Sequence, residues 1–367
     1  MNYLKLTPLD SWFFRDGRPF HQGEPSADVE SIFPPSAFTI AGAIRAHLAR
    51  KMGWRCGNWN EKIIKVLGDG YNLGPLSFRG PFLGIENKET IKPLFPVPLH
   101  LLGKFEEGKG NEFILLSPGD EIECDLGKVR LPSAKGIEGM KTLKHYYLTS
   151  ESLAKVLQGT TDDLEIIASK DLWGVEYAVG LARDKMSRTA KEGHLYSSCK
   201  VRLNDANGTC LLFGSEGIKD GLDNQFVFPI GGESRMAVAE VVDIQKEFLI
   251  RPNLQIKDGC LRFTVTHITP AWFDRWPGSG KGLPEVPGRV ISACLERSLR
   301  IGGWSSVKGE RDNFIKGPVA LKPFIRPGST WFCEACEDDK EDVLQIHSSR
   351  IGEYNDFGFG EVAIGAW

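Results

Sequence analysis

The residues of this chain best suited to chemistry are cations between positions 183 and 202. Arg183, Lys185, Arg188, Lys191, Lys200 and Arg202 stand against Asp184 and Glu192, a local balance of +4 in a chain whose net charge is −3. His194 and Tyr196 interrupt the run. Cations that alternate with rings suit a single-stranded nucleic acid, because the cations bind phosphates while the rings stack on bases. A solvated hairpin without a ligand explains the same run equally well.

A glycine turn, Gly231-Gly232-Glu233-Ser234-Arg235, joins two apolar stretches. Two glycines allow a ligand to approach the backbone closely and turn N–H groups outward, a geometry that holds phosphate. Arg235 adds a planar cation. A plain hairpin turn would account for the glycines but leaves Arg235 without a role.

Further cations lie in the first fifty residues. Arg15, Arg18 and His21 flank an Asp-Gly turn. Arg45 lies on a predicted helix, about 100° around the axis from Ile44 of its apolar face, so we expect Arg45 at the exposed rim. An arginine there could bind phosphate, although a surface arginine with no ligand is at least as common.

Motifs for catalysis or metal binding are incomplete. Asp356-Phe357-Gly358 lacks the other kinase motifs, and the single CEAC pair at 333–336 lacks two further soft ligands for zinc. Residues 334–342 carry six acids and one lysine and predict an exposed acidic turn. The sequence therefore predicts no catalytic residue, no metal and no cofactor.

Composition describes the class of protein that holds these residues. The chain has 367 residues, of which 41% are apolar and 25% charged, which excludes wholesale disorder and favours about two domains. No stretch of eighteen apolar residues occurs, so no membrane span is expected. Eight cysteines without a framework spacing indicate reduced thiols and a cytoplasmic location.

The elements that must position the cations are mostly short strands. One clear helix follows Pro34-Pro35, with Ser36 as N-cap and Ile40, Ile44 and Leu48 every four residues. Gly42 inside it indicates close packing or a nearby ligand. The sequence also predicts a short helix at 152–158, an extended arm at 173–203 and a strand-turn-strand at 225–243.

The second half of the chain resembles the first. LTPLDSWF (6–13) is similar to VTHITPAWF (265–273), and both halves close on a glycine turn and an apolar strand, at 230–242 and 357–367. Two copies of one unit predict an α+β protein of two ferredoxin-like (RRM-like) βαββαβ domains with insertions and Gly-rich loops. We expect these domains at 1–250, with an insertion near 104–165, and at 251–367. Chance recurrence of short apolar strings is the alternative.

Large rings cluster at the two repeated strand ends. Any of them left exposed would form an anchor-rich patch for a protein partner. The residues concerned are Trp12, Phe13, Phe14, Phe20, Trp272, Phe273 and Trp276.

Several segments together resemble the third Cmr subunit family, the RAMP-superfamily proteins of type III-B CRISPR effector complexes. The resemblance runs along nearly the whole chain in order, and its most specific part is the opening block with the helix that follows. The segments are WFFRDGRPF (12–20), FPPSAFTIAGAIRAHL (33–48), EGHLY (192–196), GGESR (231–235), IGGWSSVKG (301–309) and GFGEVAIGAW (358–367).

The resemblance implies two ferredoxin-like domains and a non-catalytic subunit that holds the 5′ tag of the CRISPR guide RNA. It implies as partners the large palm-domain Cmr subunit and the other RAMP subunits of the complex. Carried over to this sequence, the tag would lie on the 231–235 turn and the 183–202 arm. The RDGRPF turn (15–20), Arg45 and the IGGW…K segment (301–308) would line the same groove. The RNA-binding residues so implied are Arg15, Arg18, His21, Arg45, Arg183, Lys185, Arg188, Lys191, His194, Gly231, Gly232, Arg235, Trp304 and Lys308.

Two other classes of function are open from the sequence. A metal-independent endoribonuclease would use His21, His47 and His194 as candidate general acids and bases, although no spacing forces any two of them together. A pure protein adaptor would contact no RNA.

Overall fold

The computed structural model is a mixed α+β protein in which strands predominate. It describes residues 1–15, 28–29, 31–87, 90–106, 110–125, 127–184, 186–218, 222–244, 248–275, 277, 282–308 and 314–367. Only the backbone is described at 28–29, 106, 110, 182, 191–196, 304–308, 314–316 and 318.

Twenty-three strands form within these ranges. In chain order they are β1 (Asn2–Pro8), β2 (Asp28–Val29), β3 (Ser77–Glu86), β4 (Ile91–Pro96), β5 (Leu101–Glu106), β6 (Gly110–Leu115), β7 (Ser117–Cys124), β8 (Gly127–Ser133), β9 (Lys141–Thr142), β10 (Tyr146–Thr149), β11 (Ile166–Ala168), β12 (Trp173–Arg183), β13 (Ala190–Leu203), β14 (Thr209–Glu216), β15 (Gln225–Pro229), β16 (Met236–Val242), β17 (Ile256–Lys257), β18 (Cys260–His267), β19 (Arg289–Cys294), β20 (Leu299–Lys308), β21 (Phe314–Phe324), β22 (Thr330–Cys336) and β23 (Val362–Ala366).

The helices are few and short. They are α1 (Ala37–Lys51), α2 (Glu61–Leu67), α3 (Ser150–Leu157), α4 (Ser169–Leu172) and α5 (Lys340–Ile346), with single 3-10 turns at Asp205–Asn207, Glu337–Asp339 and Asn355–Phe357. None of the helices in the described ranges has the length and apolar character needed to cross a membrane.

The chain divides into two compact units, each made of three segments. The first unit comprises Met1–Thr90, Lys170–Ile244 and Arg300–Lys322, and the second comprises Ile91–Ser169, Gln245–Leu299 and Pro323–Trp367. This division differs from the single boundary expected near residue 250. The stretch expected as an insertion, 104–165, belongs to the second unit, where β10 pairs with β4 and β11.

The sheet of the first unit is built around β1. This strand pairs antiparallel with β14 on one side and β16 on the other; β3 pairs with β14, and β15 with β16. Leu4 and Leu6 of β1 are fully buried, as the alternation predicts. Helix α1 turns the buried Ile40 and Ile44 inward and stacks His47 on Phe226 of β15, with 4.5 Å between ring centroids.

The sheet of the second unit is built around β18 in the same way. This strand pairs antiparallel with β22 and β23, and β19 pairs with β22. Its core contains Phe263, Val265, Trp331 and Ile364, closed by Val343 of α5. Helix α3 lies against β4, β10 and β23.

The two sheets repeat each other in register. Leu9 N–H donates to the Met236 carbonyl (3.3 Å), and Ile268 N–H donates to the Glu361 carbonyl (2.7 Å). Trp12 bridges to Val201 as Ala271 bridges to Ile325. The register shifts of the β14–β3 and β22–β19 pairs also fall at corresponding places. Trp12 therefore corresponds to Ala271, one residue away from the equivalence with Trp272 that the sequence suggested.

Most predicted elements are confirmed, including the helix after Ser36, the helix near 152–158, the extended 173–203 arm and the strands at 225–243. The acidic segment is exposed at 336–338 and 341–342, as expected, and its turn is a 3-10 turn. The turn continues into α5, because Val343 and Leu344 supply an apolar side that packs into the core. The close packing expected at Gly42 was wrong, because Gly42 is exposed and a Cβ at this position would meet nothing within 4 Å.

Among the rings at the repeated strand ends that the structure describes, most belong to the core and form no exposed patch. Trp12, Phe13, Phe14 and Phe273 are buried, because each strand end turns back under the glycine loop of its own unit. Trp272 is half-buried. Phe20 and Trp276 lie outside the described residues.

Candidate nucleic-acid interface

The glycine turn at 230–235 is held by the loop that follows β1. Gly231 has a φ of 72°, and a Cβ there would lie 2.4 Å from the Phe13 carbonyl oxygen. Gly232 N–H donates to that same oxygen (2.8 Å), and Ile230 N–H donates to the Arg235 carbonyl (2.8 Å). Glycine is needed at Gly231 because any side chain would collide with the loop.

The turn presents a row of backbone donors. Glu233 and Ser234 have φ values of 53° and 54°, in the left-handed region. Within the described part of the chain, the N–H groups of Gly231, Glu233 and Ser234 have no acceptor. Gly231, Glu233 and Ser234 are all exposed. The Gly232 N–H is used by the Phe13 carbonyl, so the adjacent N–H groups of Glu233 and Ser234 are the pair that forms a concave site for an anion.

An ionic network surrounds the turn. Asp10 accepts from the Arg202 guanidinium (2.6 Å) and from the Arg235 guanidinium (3.0 Å). Arg202 also binds Glu176 of β12. Lys200 and Arg235 both approach Glu233, with nitrogen–oxygen distances of 3.5 and 3.8 Å.

The charges of this network balance. The hydrogen bond from Arg202, together with the charges of Arg202 and Arg235, lowers the pKa of Asp10 below its usual value. Hydrogen bonds to Glu176 and Asp10 raise the pKa of Arg202. The three carboxylates were missed by the sequence reasoning, which counted cations between 183 and 202 without their cross-strand partners. A phosphate here would meet N–H donors and would share Arg235 and Arg202 with carboxylates.

A long hairpin, β12–β13, begins beside the glycine turn. Trp12 and Val201 exchange two backbone hydrogen bonds of 2.8 Å, which fix the base of the hairpin beside the loop that holds the turn. Val201 pairs with Val175, and Arg183 pairs with Ala190 at the far end. Eight residues of strand, at ~3.3 Å each, place the tip about 26 Å from the base.

The tip of the hairpin carries unbalanced cations. The Asp184 carboxylate accepts from the N–H groups of Met186 and Ser187 (2.9 and 2.8 Å), which closes the tip and lowers the pKa of Asp184. Arg183 and Arg188 are exposed, and neither side chain has a carboxylate partner within the part of the chain that the structure describes. Lys185 lies outside the described residues. Lys191 and His194 lie on β13, where only the backbone is described.

One face of β12 is apolar and exposed. Val175, Tyr177, Val179 and Leu181 alternate along the strand, with exposed fractions of 48 to 76%. The hairpin therefore combines a cationic tip with a surface on which bases or an apolar partner could pack.

Arg45 does not lie at the rim of α1, and the sequence expectation was wrong. It is 6% exposed, and its guanidinium donates to the carbonyls of Leu67 (2.8 Å) and Gly70 (2.9 Å). It also lies over the Trp59 ring at 5.2 Å. Burial lowers its pKa to about 10. The side chain faces inward because these carbonyls, at and just beyond the end of α2, accept no backbone N–H from the residues that the structure describes.

The structure brings together only some of the predicted site residues. Gly231, Gly232 and Arg235 lie at the base of the hairpin, and Arg15 directly follows Phe14, whose ring packs on Gly231. Arg183 and Arg188 lie at the tip. Trp304 and Lys308 lie on β20, which pairs with β21, and only their backbone is described. Arg18 and His21 lie outside the described residues.

The candidate acid–base histidines do not converge where the structure describes them. His47 stacks on Phe226 beneath α1, where burial lowers its pKa. His194 lies on β13, two residues before Tyr196, which pairs with Gly180. His21 lies outside the described residues.

Comparison with protein families gives one match. The model of a family described as CRISPR-associated protein (Cas_Cmr3) matches residues 4–367. Among curated proteins, the sequence comparison finds no significant match.

Solved structures show a distant likeness. A chain of the type III-B Cmr-beta complex bound to cognate target RNA is 16% identical, with 98% of this chain and 96% of that chain covered and a TM-score of 0.48. A chain of the same type of complex with target RNA and AMPPnP is 14% identical (90% and 86% covered, TM-score 0.47). A chain of a Csm3–Csm4 subcomplex of the type III-A interference complex is 10% identical (90% and 92% covered, TM-score 0.35).

Proposed function

The chain belongs to the Cas_Cmr3 family of CRISPR-associated proteins, and from this premise we propose its role in a type III-B effector complex. It is a non-catalytic subunit that holds the 5′ tag of the guide RNA. It docks on the large palm-domain subunit beside the other RAMP subunits. The free thiols of all eight cysteines suit assembly in the cytoplasm.

The observation that carries this proposal is the exposed turn at 231–235. Its unpaired N–H groups suit phosphate oxygens, and Lys200 and Arg235 stand beside them. Asp10 and Glu233 hold these cations in place before RNA arrives. Because the carboxylates already balance the cations, RNA binding here depends on the backbone donors as well as on charge.

The hairpin supplies a second contact for the same strand of RNA. Arg183 and Arg188 offer cations at the tip, and Tyr177 offers an exposed ring partway along β12. An RNA strand lying along the hairpin would meet groups that bind phosphate at both ends and a surface for base stacking between them. Such an arrangement recognises the sugar-phosphate backbone of the RNA and has no preference for its base sequence.

The proposed domains are ferredoxin-like. In the βαββαβ order, β1, β3, β14 and β16 serve as the four strands of the first unit, and β18, β19, β22 and β23 as those of the second. Both sets follow the strand order 4-1-3-2. Within the described residues, the first unit has only the first helix of the motif, α1, and the second has only the second helix, α5.

The proposal is tested with full-length protein and a fluorescently labelled guide RNA that carries the tag. The double variant Lys200→Gln/Arg235→Gln should weaken binding about tenfold and flatten the dependence of log K on log salt by about 1.4, since each phosphate contact in a single strand contributes about 0.7. Lys128→Gln, an exposed lysine of β8 in the second unit, is the matched control.

Two outcomes would contradict the proposal. Unchanged affinity and salt dependence in the double variant would remove the turn from the RNA site. Defined cleavage of repeat RNA in EDTA, lost on substitution of His47, would replace the non-catalytic role with that of an endoribonuclease.

A further inference from the structure

We propose that the corner between α1 and α2, residues 50–65, is a second site for single-stranded nucleic acid. It is separate from the turn and hairpin and is not required for holding the tag. No motif in the sequence drew attention to it, because its cations are spread over a loop and two helix ends.

The corner carries a surplus of unpaired positive charge. Five cations, Arg50, Lys51, Arg55, Lys62 and Lys65, face one acid, Glu61, a local balance of +4. Lys51 is bound to Asp223 (2.8 Å). Arg50, Arg55, Lys62 and Lys65 are exposed and have no carboxylate partner among the residues described. The turn at 231–235, in contrast, has every cation matched by a carboxylate.

Two tryptophans are fixed among these cations. Trp54 and Trp59 lie edge to face, with centroids 6.3 Å apart, and both are half-buried. Arg50 lies 5.7 Å from the Trp54 ring, and Trp54 Nε1 donates to the Gly57 carbonyl (3.1 Å). The Arg45 guanidinium packs against the Trp59 ring. Rings that are already ordered lose little freedom when a base stacks on them, which favours binding.

The backbone around the rings leaves room for a strand to approach. Gly53 and Gly57 have φ values of 94° and 75°, and a Cβ at either position would meet nothing within 4 Å. A sugar-phosphate chain can therefore come close to the loop between the two rings.

The corner lies at the far end of β15 from the turn. Lys51 is bound to Asp223, just before β15 begins at Gln225, whereas the turn follows the end of β15 at Pro229. The strand between them is about 13 Å long. A ligand bound at one place therefore leaves the other open.

A nucleic acid fits the corner better than an acidic protein does. Either would satisfy the free cations, but ordered indole rings beside open glycines offer stacking surfaces that bases use and acidic side chains do not. The proposal therefore commits to single-stranded RNA, recognised through phosphates and base stacking without sequence preference.

The experiment measures binding of a short fluorescein-labelled oligouridylate to full-length protein in which Arg183, Arg188, Lys200 and Arg235 are all glutamine. This background removes the site proposed for the tag, so the two proposals are tested independently. Arg55→Glu/Lys62→Glu should weaken binding about tenfold and flatten the salt slope by about 1.4. Trp54→Ala should weaken binding about fivefold with little change of slope, because stacking is not ionic. Lys135→Glu/Lys170→Glu, exposed lysines elsewhere, is the matched control.

Two results would overturn the proposal. One is oligouridylate affinity that equals that of the control in both corner variants, with circular dichroism showing intact folding. The other is unchanged oligonucleotide binding with lost capture of a protein subunit of the complex, which would make the corner a protein interface.

Discussion

The two units of this protein use the same strand order but close it with different loops. In the first unit the loop before the last strand runs from Ile230 to Arg235, and in the second from Ile351 to Gly360. Each is closed by a hydrogen bond from the isoleucine N–H to the carbonyl of the last residue, 2.8 and 3.0 Å long. In each, a left-handed glycine presses on the loop after the first strand: Gly231 on Phe13, and Gly352 on Trp272.

The four extra residues of the second loop change its role. Phe357 and Phe359 are buried, and the Arg350 guanidinium donates inward to the Asn355 carbonyl (2.8 Å). In the shorter first loop Ile230 is buried, but no apolar side chain follows it between Gly231 and Ser234, so the N–H groups of that stretch remain at the surface. The first unit therefore has an exposed turn where the second unit has a filled core, and the proposed RNA site belongs to the first unit.

The largest effects are expected at core positions that correspond between the two units. Leu4 and Phe263 are both fully buried at corresponding places on β1 and β18. Phe263→Ala should lower the free energy of unfolding by about 4 kcal/mol and Leu4→Ala by about 3 kcal/mol, because each leaves a cavity. Urea denaturation measures both. Leu9→Ala, at a position 61% exposed, is the control. If either core substitution lowered the free energy of unfolding only as much as Leu9→Ala does, Leu4 and Phe263 would not be equivalent core positions.

The glycines test the loops themselves. A Cβ at Gly231 would lie 2.4 Å from the Phe13 oxygen, and one at Gly352 would lie 2.7 Å from the Trp272 oxygen. Alanine at either should cost about 3 kcal/mol, from backbone strain together with the collision. Gly57→Ala, left-handed but in open space, should cost only about 1 kcal/mol. If Gly231→Ala lowered the stability in thermal unfolding only as much as Gly57→Ala does, the close contact of Gly231 with the Phe13 oxygen would be contradicted.

Acid should distinguish the two units. Burial lowers the pKa of His267 to about 3 and that of His100 to about 4, and both lie in the second unit. The unfolded chain therefore takes up these protons first, and stability falls as the pH drops below about 6.5, by about 1.4 kcal/mol per pH unit for each group.

The measurement is urea denaturation at pH 7 and pH 5. His267→Leu should reduce the loss of stability between these values by about 2 kcal/mol, because one buried histidine no longer resists protonation. The exposed His145→Leu is the matched control. An unaltered pH dependence in His267→Leu would mean that His267 accepts its proton in the folded state.

Much of this fold follows from local pattern, and much of the site does not. The apolar spacing of Ile40, Ile44 and Leu48 was enough for α1, and alternation was enough for β15 and β16. Local patterns cannot predict contacts between distant parts of the chain. Arg202 binds Asp10, which is 192 positions away. Arg45 points inward to carbonyls that lie near it only in the folded protein. Sequence spacing therefore located the cations and glycines but not the carboxylates that balance them.

The smallest predicted effect concerns α1, the helix that the second unit lacks within the described residues. Gly42 lies inside α1, is exposed, and would meet nothing within 4 Å if it carried a Cβ. Gly42→Ala should therefore raise the free energy of unfolding by about 0.5 to 1 kcal/mol, because alanine restricts the unfolded chain and adds no collision. Thermal unfolding of the purified chain measures this gain, with Ala46→Gly in the same helix as the converse control. A loss of stability would show that α1 needs a bare backbone at this turn. The first unit would then depend on a close contact there that the second unit does without.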